Sequence, residues 1–269
     1  MIRDITIGQY YPADSVLHKL DPRVKLVGTM AYIVSLFLVN NVFGYLAAAV
    51  FLLLVIKISK VPFAFIVKGL KSVVILLLFA VVFNIFLTPG EVLIRWGFLK
   101  VTKEGLRTAA FMGIRLILLI MGSSIMTFTT TPNQLTDGLE SLLGPLKKLH
   151  VPVHEIAMMM SIALRFIPIL LEETDKIMKA QQARCADFES GGLVQKAKSL
   201  IPILVPLFVS AFRRANDLAM AMEARCYRGG EGRTKMKPLR YHKPEYKAYG
   251  VVVGYLALLI GINMAVSLL

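Results

Sequence analysis

"LVGTMAYIVSLFLVNNVFGYLAAAVFLLLVI", Leu26 to Ile56, contains no charged residue. One transmembrane helix needs about 20 apolar residues, so this run is too long for a single simple span. "NNVFG" at Asn40–Gly44 interrupts it. Two helices joined by a tight, uncharged turn are predicted, and the chain is read as a membrane protein from this stretch outward.

Composition agrees. The chain has 269 residues, 56% of them hydrophobic and 18% charged, with a mean hydropathy of +0.66. Soluble domains are nearer 25% charged, so the apolar surface exceeds what one core would bury, and lipid is the natural solvent for the excess. The segment before Val24 lacks a signal-peptide layout. The formal net charge of +14 would point to nucleic acid in a soluble protein. Here the basic residues flank apolar spans, which fits loops beside anionic lipid and no nucleic-acid partner.

Further spans are predicted at Ser72–Thr88, ending at Pro89-Gly90, at Ala109–Phe128 with the single charge Arg115, and at Ala248–Leu269. A charge at Arg115's depth snorkels or faces a polar interior. Orientation follows the lysines and arginines near span ends. Arg3, Lys19, Arg23 and Lys25 precede the first span, and Lys57, Lys60, Lys68 and Lys71 follow the second, whereas the "NNVFG" turn has no basic residue. These place the N-terminus in the cytoplasm, and five spans put the C-terminus outside. The connection holding Arg95, Lys100 and Lys103 beside Glu91 and Glu104 weakens the pattern slightly.

Thr129 to Lys247 then forms a cytosolic segment. A helix is predicted to open at Pro132 and Asn133 and close near Leu149. A second runs from His154 to about Ala186, with Ile156, Met160, Ala163, Ile167, Leu170 and Met178 on its apolar face. A third runs from about Val194 to Cys226, with Leu200, Leu204, Leu207, Ala211, Ala215, Leu218 and Met222 as its stripe. Arg213, Arg214, Asp217 and Glu223 occupy its other faces. Stretches such as Ser199–Phe212 are apolar nearly all round, which suits a helix at a membrane interface or packed among helices. The two long helices form an antiparallel or crossing pair. Met158, Met159, Met160, Met220 and Met222 fit ordinary core, or a surface that accepts several partners.

Catalytic chemistry is missing. There is no Gly-x-x-x-x-Gly-Lys-Ser/Thr loop, so the chain is not expected to hydrolyse ATP. "HEIAM" at His154 has Met158 where a zinc protease has its second histidine. Pro152 separates His150 from His154, so these two do not share a helix and are expected to be solvated or interfacial. No metal, no cofactor and no enzymatic activity are expected.

Both cysteines lie in the same tripeptide, Ala183-Arg184-Cys185 in "AQQARCADFESGG" and Ala224-Arg225-Cys226 in "AMEARCYRGGEGRT". Each occupies the last turn of a long helix. The matching contexts argue against a structural disulfide. A helix dipole attracts an arginine at its C-terminus and a glycine stops the helix, but that leaves the flanking alanine and cysteine unexplained. Small residues beside Arg184 and Arg225 let each tip enter a groove. The rigid guanidinium fork suits a carboxylate wall. Two like tips imply two like sockets.

With "GQYYPADSVLHKLDPRVKL" at Gly8–Leu26, these two stretches make the chain resemble the transmembrane T component of energy-coupling factor transporters. These are bacterial vitamin and metal uptake systems related to ABC transporters. The resemblance implies an all-α membrane protein of about five transmembrane helices plus long cytosolic coupling helices. It also implies four segments: residues 1–23 as a cytosolic N-terminal segment, 24–128 as a four-helix transmembrane region, 129–247 as the coupling-helix module, and 248–269 as the last span. The tripeptides would dock on two cytosolic ABC ATPase subunits, and a membrane-embedded substrate-binding component would lie against the apolar helices. The family usually writes Ala-Arg-Gly, so Cys185 and Cys226 are departures. The added Cβ makes a left-handed backbone at those positions an unfavoured expectation. The competing readings are a self-sufficient permease, for which only Arg115 qualifies as an intramembrane ionisable group, and a membrane-bound enzyme, for which no motif is present.

Overall fold

The computed structural model describes residues 10–71, 73–96, 99–186, 188, 192–230, 236 and 238–268. The chain divides into two compact units, one of Gly8–Ser141 with Leu239–Leu269 and the other centred on Leu142–Pro238.

In the first unit the uncharged run breaks at Asn40-Asn41, as the sequence predicts. After a single turn, α1 (Val16–Lys19), the chain enters α2 (Pro22–Leu38), and α3 (Val42–Ser59) follows. The Asn41 side chain accepts from the Gly44 N–H at 3.0 Å and caps α3. The α2–α3 turn is tight because residue 44 is glycine; a Cβ there would come within 2.5 Å of Val39.

The third expected span departs from the reading. It is made of two helices, α4 (Phe63–Lys71) and α5 (Val74–Leu87), bent by 62° at their junction. The connection after it is not a plain loop but a small antiparallel hairpin, β1 (Val92–Trp96) and β2 (Leu99–Thr102), with an irregularity between Val92 and Ile94. Thr102 caps α6 (Lys103–Thr129), accepting from the Gly105 N–H at 3.0 Å. That cap starts α6 six residues before the apolar run at Ala109. A capping box opens α7 (Pro132–Leu142): the Gln134 N–H donates to Thr131 Oγ1 at 3.3 Å, and the Thr131 N–H donates to Gln134 Oε1 at 3.2 Å. The final helix, α10 (Lys243–Leu268), begins where Glu245 accepts from the His242 N–H at 2.7 Å.

The centre of this unit is α6, which packs against α2, α3, α4 and α5, while α10 covers α2 and α3. Its core joins Tyr32, Leu36, Tyr45, Ala48, Leu52, Ile125, Phe128 and Tyr255. Arg115, on α6, snorkels to the α2–α3 turn. Its Nε donates to the Tyr45 hydroxyl at 2.9 Å and its Nη2 to the Val39 carbonyl at 3.1 Å and Asn40 Oδ1 at 3.2 Å. The guanidinium thus satisfies carbonyls that the end of α2 leaves open.

In the second unit a 3-10 turn (Gly144–Leu149) leads to two long helices, α8 (Val153–Ala183) and α9 (Leu193–Ala224). Four helices, α3, α6, α8 and α10, are long and apolar enough to cross a membrane, and the α4–α5 pair makes five. The 17-residue α2 lies at the lower end of spanning length. The protein is a multi-pass, all-α membrane protein with one small hairpin among the described residues.

Candidate functional site

The antiparallel pairing of α8 and α9 is fixed at three levels, two polar and one apolar. Gln181 on α8 reaches the Pro202 carbonyl of α9. Glu173 accepts from the Ser210 hydroxyl, and also from Arg214 at 2.7 and 3.2 Å. Met158, Ile162 and Phe166 share a groove with Leu218 and Met222. The packed residues of α9 are therefore Ile203, Leu207, Ser210, Ala211, Arg214, Leu218 and Met222. Four of the seven residues of the expected stripe agree, Leu207, Ala211, Leu218 and Met222. Leu200, Leu204 and Ala215 are exposed, and Arg214 belongs to the packed face that the sequence reading denied it. On α8 the buried residues are Val153 and Ala157, while Ile156, Met160, Ala163 and Ile167 of the expected face are exposed. Met159, Met160 and Met220 are exposed too, so they are not core.

Both helices end in the same backbone figure. At the α8 end, Arg184 (φ −93°, ψ 19°) is followed by Cys185 at φ +63°. The Cys185 N–H donates to the Gln182 carbonyl at 2.9 Å and the Ala186 N–H to Gln181 at 3.0 Å. At the α9 end, Arg225 (φ −93°, ψ 13°) precedes Cys226 at φ +56°. There the Cys226 N–H donates to Glu223 at 2.8 Å and the Tyr227 N–H to Met222 at 3.1 Å. These are Schellman ends, a 6→1 bond enclosing a 5→2 bond around one left-handed residue. The left-handed residue is the cysteine in both, which overturns the expectation that its Cβ would keep the backbone out of that region. The two hydrogen bonds offset the strain of a non-glycine residue there, and the same geometry accounts for the glycine usual at this position.

All six tripeptide residues are exposed, and both thiols are free. The left-handed turn folds the chain away, so Arg184 and Arg225 stand at the tips, each between an alanine and a cysteine in sequence. The tips lie far apart. Arg225 shares its groove with Ile162, and Arg184 is 22 positions further along α8, about 33 Å at 1.5 Å per residue.

The groove at the Arg225 tip was not foreseen. It has a volume of about 680 Å³ and an apolar floor of Met158, Ile162, Phe166, Leu218 and Met222. Arg165 and Arg228 line it beside Arg225, and no acidic side chain does among the described residues. Sequence offers a faint signal for Arg165, which with Glu155 is one of two charged residues in the apolar half of α8. Most of "DFESGG" and all of "EGRT" lie outside the described residues.

The N-terminal signature, apart from Gly8 and Gln9 outside the described residues, ties helix ends together. The Tyr11 N–H donates to the Phe128 carbonyl at 2.9 Å. His18 bonds Ser15 Oγ at 2.6 Å and the Tyr11 carbonyl at 3.0 Å. Lys25 Nζ donates to the His18 carbonyl at 3.2 Å and to Thr129 at 2.9 Å. Asp21 caps α2 and holds Arg23, whose guanidinium lies 3.9 Å over the Tyr241 ring and reaches Ser141 at 3.3 Å. Burial alone would raise the Asp21 carboxyl. Hydrogen bonds from Arg23, with the charges of Arg23 and Lys25, outweigh it and hold the group below its ordinary value.

Pro152 does end the segment before α8, and His150 is in a left-handed conformation, so the two histidines do not converge. His154 is half-buried rather than solvated, against Gly230. No cluster of three or more metal-ligating side chains occurs among the described residues.

A family model described as cobalt transport protein (CbiQ) matches residues 13–236, which spans most of the signature, both helix tips and most of both units. The energy-coupling factor transporter transmembrane protein EcfT of Clostridium kluyveri is 61% identical over 250 residues, 92% of this chain and 93% of the relative. The chain belongs to this family of energy-coupling factor transporter transmembrane proteins. EcfT of Ruminiclostridium cellulolyticum is 54% identical over 97% of each chain, and EcfT of Bacillus subtilis 50% identical over 89% of this chain and 91% of its own. As a transmembrane component of such a transporter, the chain works within an assembly of subunits.

Proposed function

We propose that this chain is a non-catalytic scaffold that couples ATP hydrolysis by two cytosolic ABC ATPases to movement of a membrane-embedded substrate-binding subunit, for uptake of a vitamin or metal. Ala183-Arg184-Cys185 and Ala224-Arg225-Cys226 are the docking points. The observation that carries this reading is the repetition of one Schellman end, with an exposed guanidinium at its tip, at opposite ends of one antiparallel helix pair. Two separated tips with the same backbone figure suit two like subunits.

The N-terminus is cytoplasmic in this reading, residues 24–128 and 248–269 span the membrane, and 129–247 lie on the cytosolic side. The apolar half of α8 is interrupted by Glu155, Arg165 and Pro168, and its other half carries Glu172, Glu173, Asp175, Lys176 and Lys179, which supports an interfacial helix over a sixth span. Arg115 supports a scaffold over a self-contained permease, because its donors are used on the α2–α3 turn.

The test is charge reversal. Arg184→Glu and Arg225→Glu should each weaken ATPase retention on the detergent-solubilised complex and uncouple hydrolysis from uptake in proteoliposomes. The double variant should lose assembly. Removing one partner of a buried charged pair costs about 3–5 kcal/mol, against about 0–1 kcal/mol for an exposed one. Lysine should rescue only partly, lacking the fork. Normal retention and uptake by the double variant would refute docking at the tips.

A further inference from the structure

Within the first unit, α1, α2, α3, α6 and α10 surround a cavity of about 340 Å³. Helix termini mark one end of it: Lys25 in the first turn of α2, Thr129 at the end of α6, Pro244 and Lys247 at the start of α10. Tyr32, Phe51 and Gly122 mark the other. From Lys25 to Tyr32 the wall is seven residues of α2, about 10 Å. The lining is otherwise almost wholly apolar, and its members Val16, Ile58 and Val251 are exposed, so the cavity opens sideways toward the surroundings of the bundle. For a bundle in a bilayer those surroundings are acyl chains.

Two features of the wall are polar and unfinished. Tyr32 is only 4% exposed, yet its hydroxyl has no hydrogen-bond partner among the described residues. The other two buried tyrosines are satisfied, Tyr45 by Arg115 and Tyr255 by Ser35. A buried hydroxyl left unpaired is unfavourable, and because helical side chains lean toward the helix N-terminus, this one is carried back toward the Lys25 end. Lys25 is buried and donates to two carbonyls; the Asp21 carboxylate acts on it through its field but is engaged directly by Arg23, and Lys247 is exposed and makes no ion pair among the described residues. Two lysines at one mouth of an apolar cavity favour an anion there.

We propose that this cavity binds one acyl chain of an anionic phospholipid, with the phosphate at Lys247 and Lys25 and a glycerol-ester oxygen accepting from the Tyr32 hydroxyl. One molecule then supplies the apolar chain, the acceptor and the negative charge that the wall lacks. The lipid would wedge α10 against α2 and α3 at the bundle's basic end. The site does not depend on the helix tips or on what docks there.

The test is native mass spectrometry of the assembled transporter, delipidated and then exchanged into bilayers of dioleoyl-phosphatidylglycerol or of dioleoyl-phosphatidylcholine. The wild type should retain one phosphatidylglycerol and prefer it to phosphatidylcholine. Lys247→Ala should reduce that preference about fivefold, the factor equivalent to about 1 kcal/mol for a lysine near an anionic surface. Tyr32→Phe should lower occupancy with either lipid. Gly28 lines the cavity, and a Cβ there would meet only Val252, at 3.5 Å, so Gly28→Leu should fill the space and abolish retention in a complex that still assembles. Equal retention of the two lipids by the wild type, an unchanged preference in Lys247→Ala, or full retention by Gly28→Leu would overturn the proposal.

Discussion

The side-chain amide of Gln181 donates to the backbone carbonyl of Pro202 at 3.3 Å. In an unbroken helix that carbonyl would accept from the N–H of residue 206, but residue 206 is proline and has none. Gln181 is also the residue whose carbonyl closes the Schellman end of α8. One residue therefore finishes the α8 tip and mends the proline break in α9.

This makes the effects of Gln181→Ala and Pro206→Ala interdependent. Alone, Gln181→Ala should destabilise the α8–α9 pair by about 0.5–1 kcal/mol, near the lower end for a hydrogen bond because the site is exposed. In a Pro206→Ala background the new N–H satisfies Pro202, and the same glutamine substitution should cost almost nothing. Amide exchange over α9 in the four proteins of the cycle measures this. Additive effects would show that Gln181 does not serve the orphaned carbonyl.

The left-handed cysteines give a second prediction. A non-glycine residue in that region is disfavoured by about 1–2 kcal/mol, part of which glycine forfeits through its freer unfolded chain. Cys185→Gly and Cys226→Gly should each stabilise the helix end by about 0.5–1 kcal/mol, seen as a raised thermal midpoint of the complex, with uptake retained. Cys→Ala should be close to neutral, and Cys→Val destabilising, because a β-branched side chain fits a positive φ poorly. A loss of uptake in the alanine double variant would assign the thiols a chemical role.

How far the sequence led depended on how local each signal was. The break at Asn40-Asn41, the tips at Arg184 and Arg225, and the helix opening at Pro132 are set by a few neighbouring residues, and all were legible. The packed faces of α8 and α9 were not. Where a helix is apolar nearly all round, a period of 3.6 fits several faces equally well, and the face in contact was decided by a partner residue, Glu173, meeting Ser210 and Arg214. The N-terminal signature was recognisable as a pattern, but its physical role needs Lys25 beside Thr129, 104 residues away. The Cys185 and Cys226 backbone was misjudged because the penalty for a Cβ was weighed without the two hydrogen bonds that close each Schellman end.

Asp21 supplies a pH-dependent term. Its carboxyl is depressed in the folded protein, so its stabilising contribution is present above the unfolded value of about 3.9 and is lost as pH falls through the lower, folded value. Asparagine keeps the cap but removes the charge. The thermal midpoint of Asp21→Asn should lie below wild type at pH 7, and the gap should narrow as pH approaches 3. Asp21→Ala should cost about 1 kcal/mol more than asparagine, from the lost cap. A gap independent of pH would mean that the Arg23 interaction contributes nothing to stability.

The groove at the Arg225 tip predicts that the two tips are unequal. Arg165 and Arg228 line the same apolar groove as Arg225 and make no ion pair among the described residues. From Leu193 to Phe212 the sequence of α9 contains lysines 196 and 198 and no arginine, and its Pro202 carbonyl meets Gln181 near the α8 tip. If an acidic element of an ATPase enters the groove, each added guanidinium strengthens association through the combined field and less through any single exposed pair. Arg165→Ala and Arg228→Ala should then each weaken ATPase retention about two- to fivefold, equivalent to about 0.5–1 kcal/mol for an exposed pair, and the effect should be largest at low salt. The double variant should also flatten the salt dependence of retention, whereas alanine at Lys196 and Lys198 should leave it steep. Retention measured on the solubilised complex at two ionic strengths is sufficient. An unchanged salt dependence in Arg165→Ala, Arg228→Ala, with Arg225→Glu still disrupting assembly, would confine docking to the tripeptide and leave the groove with no part in it.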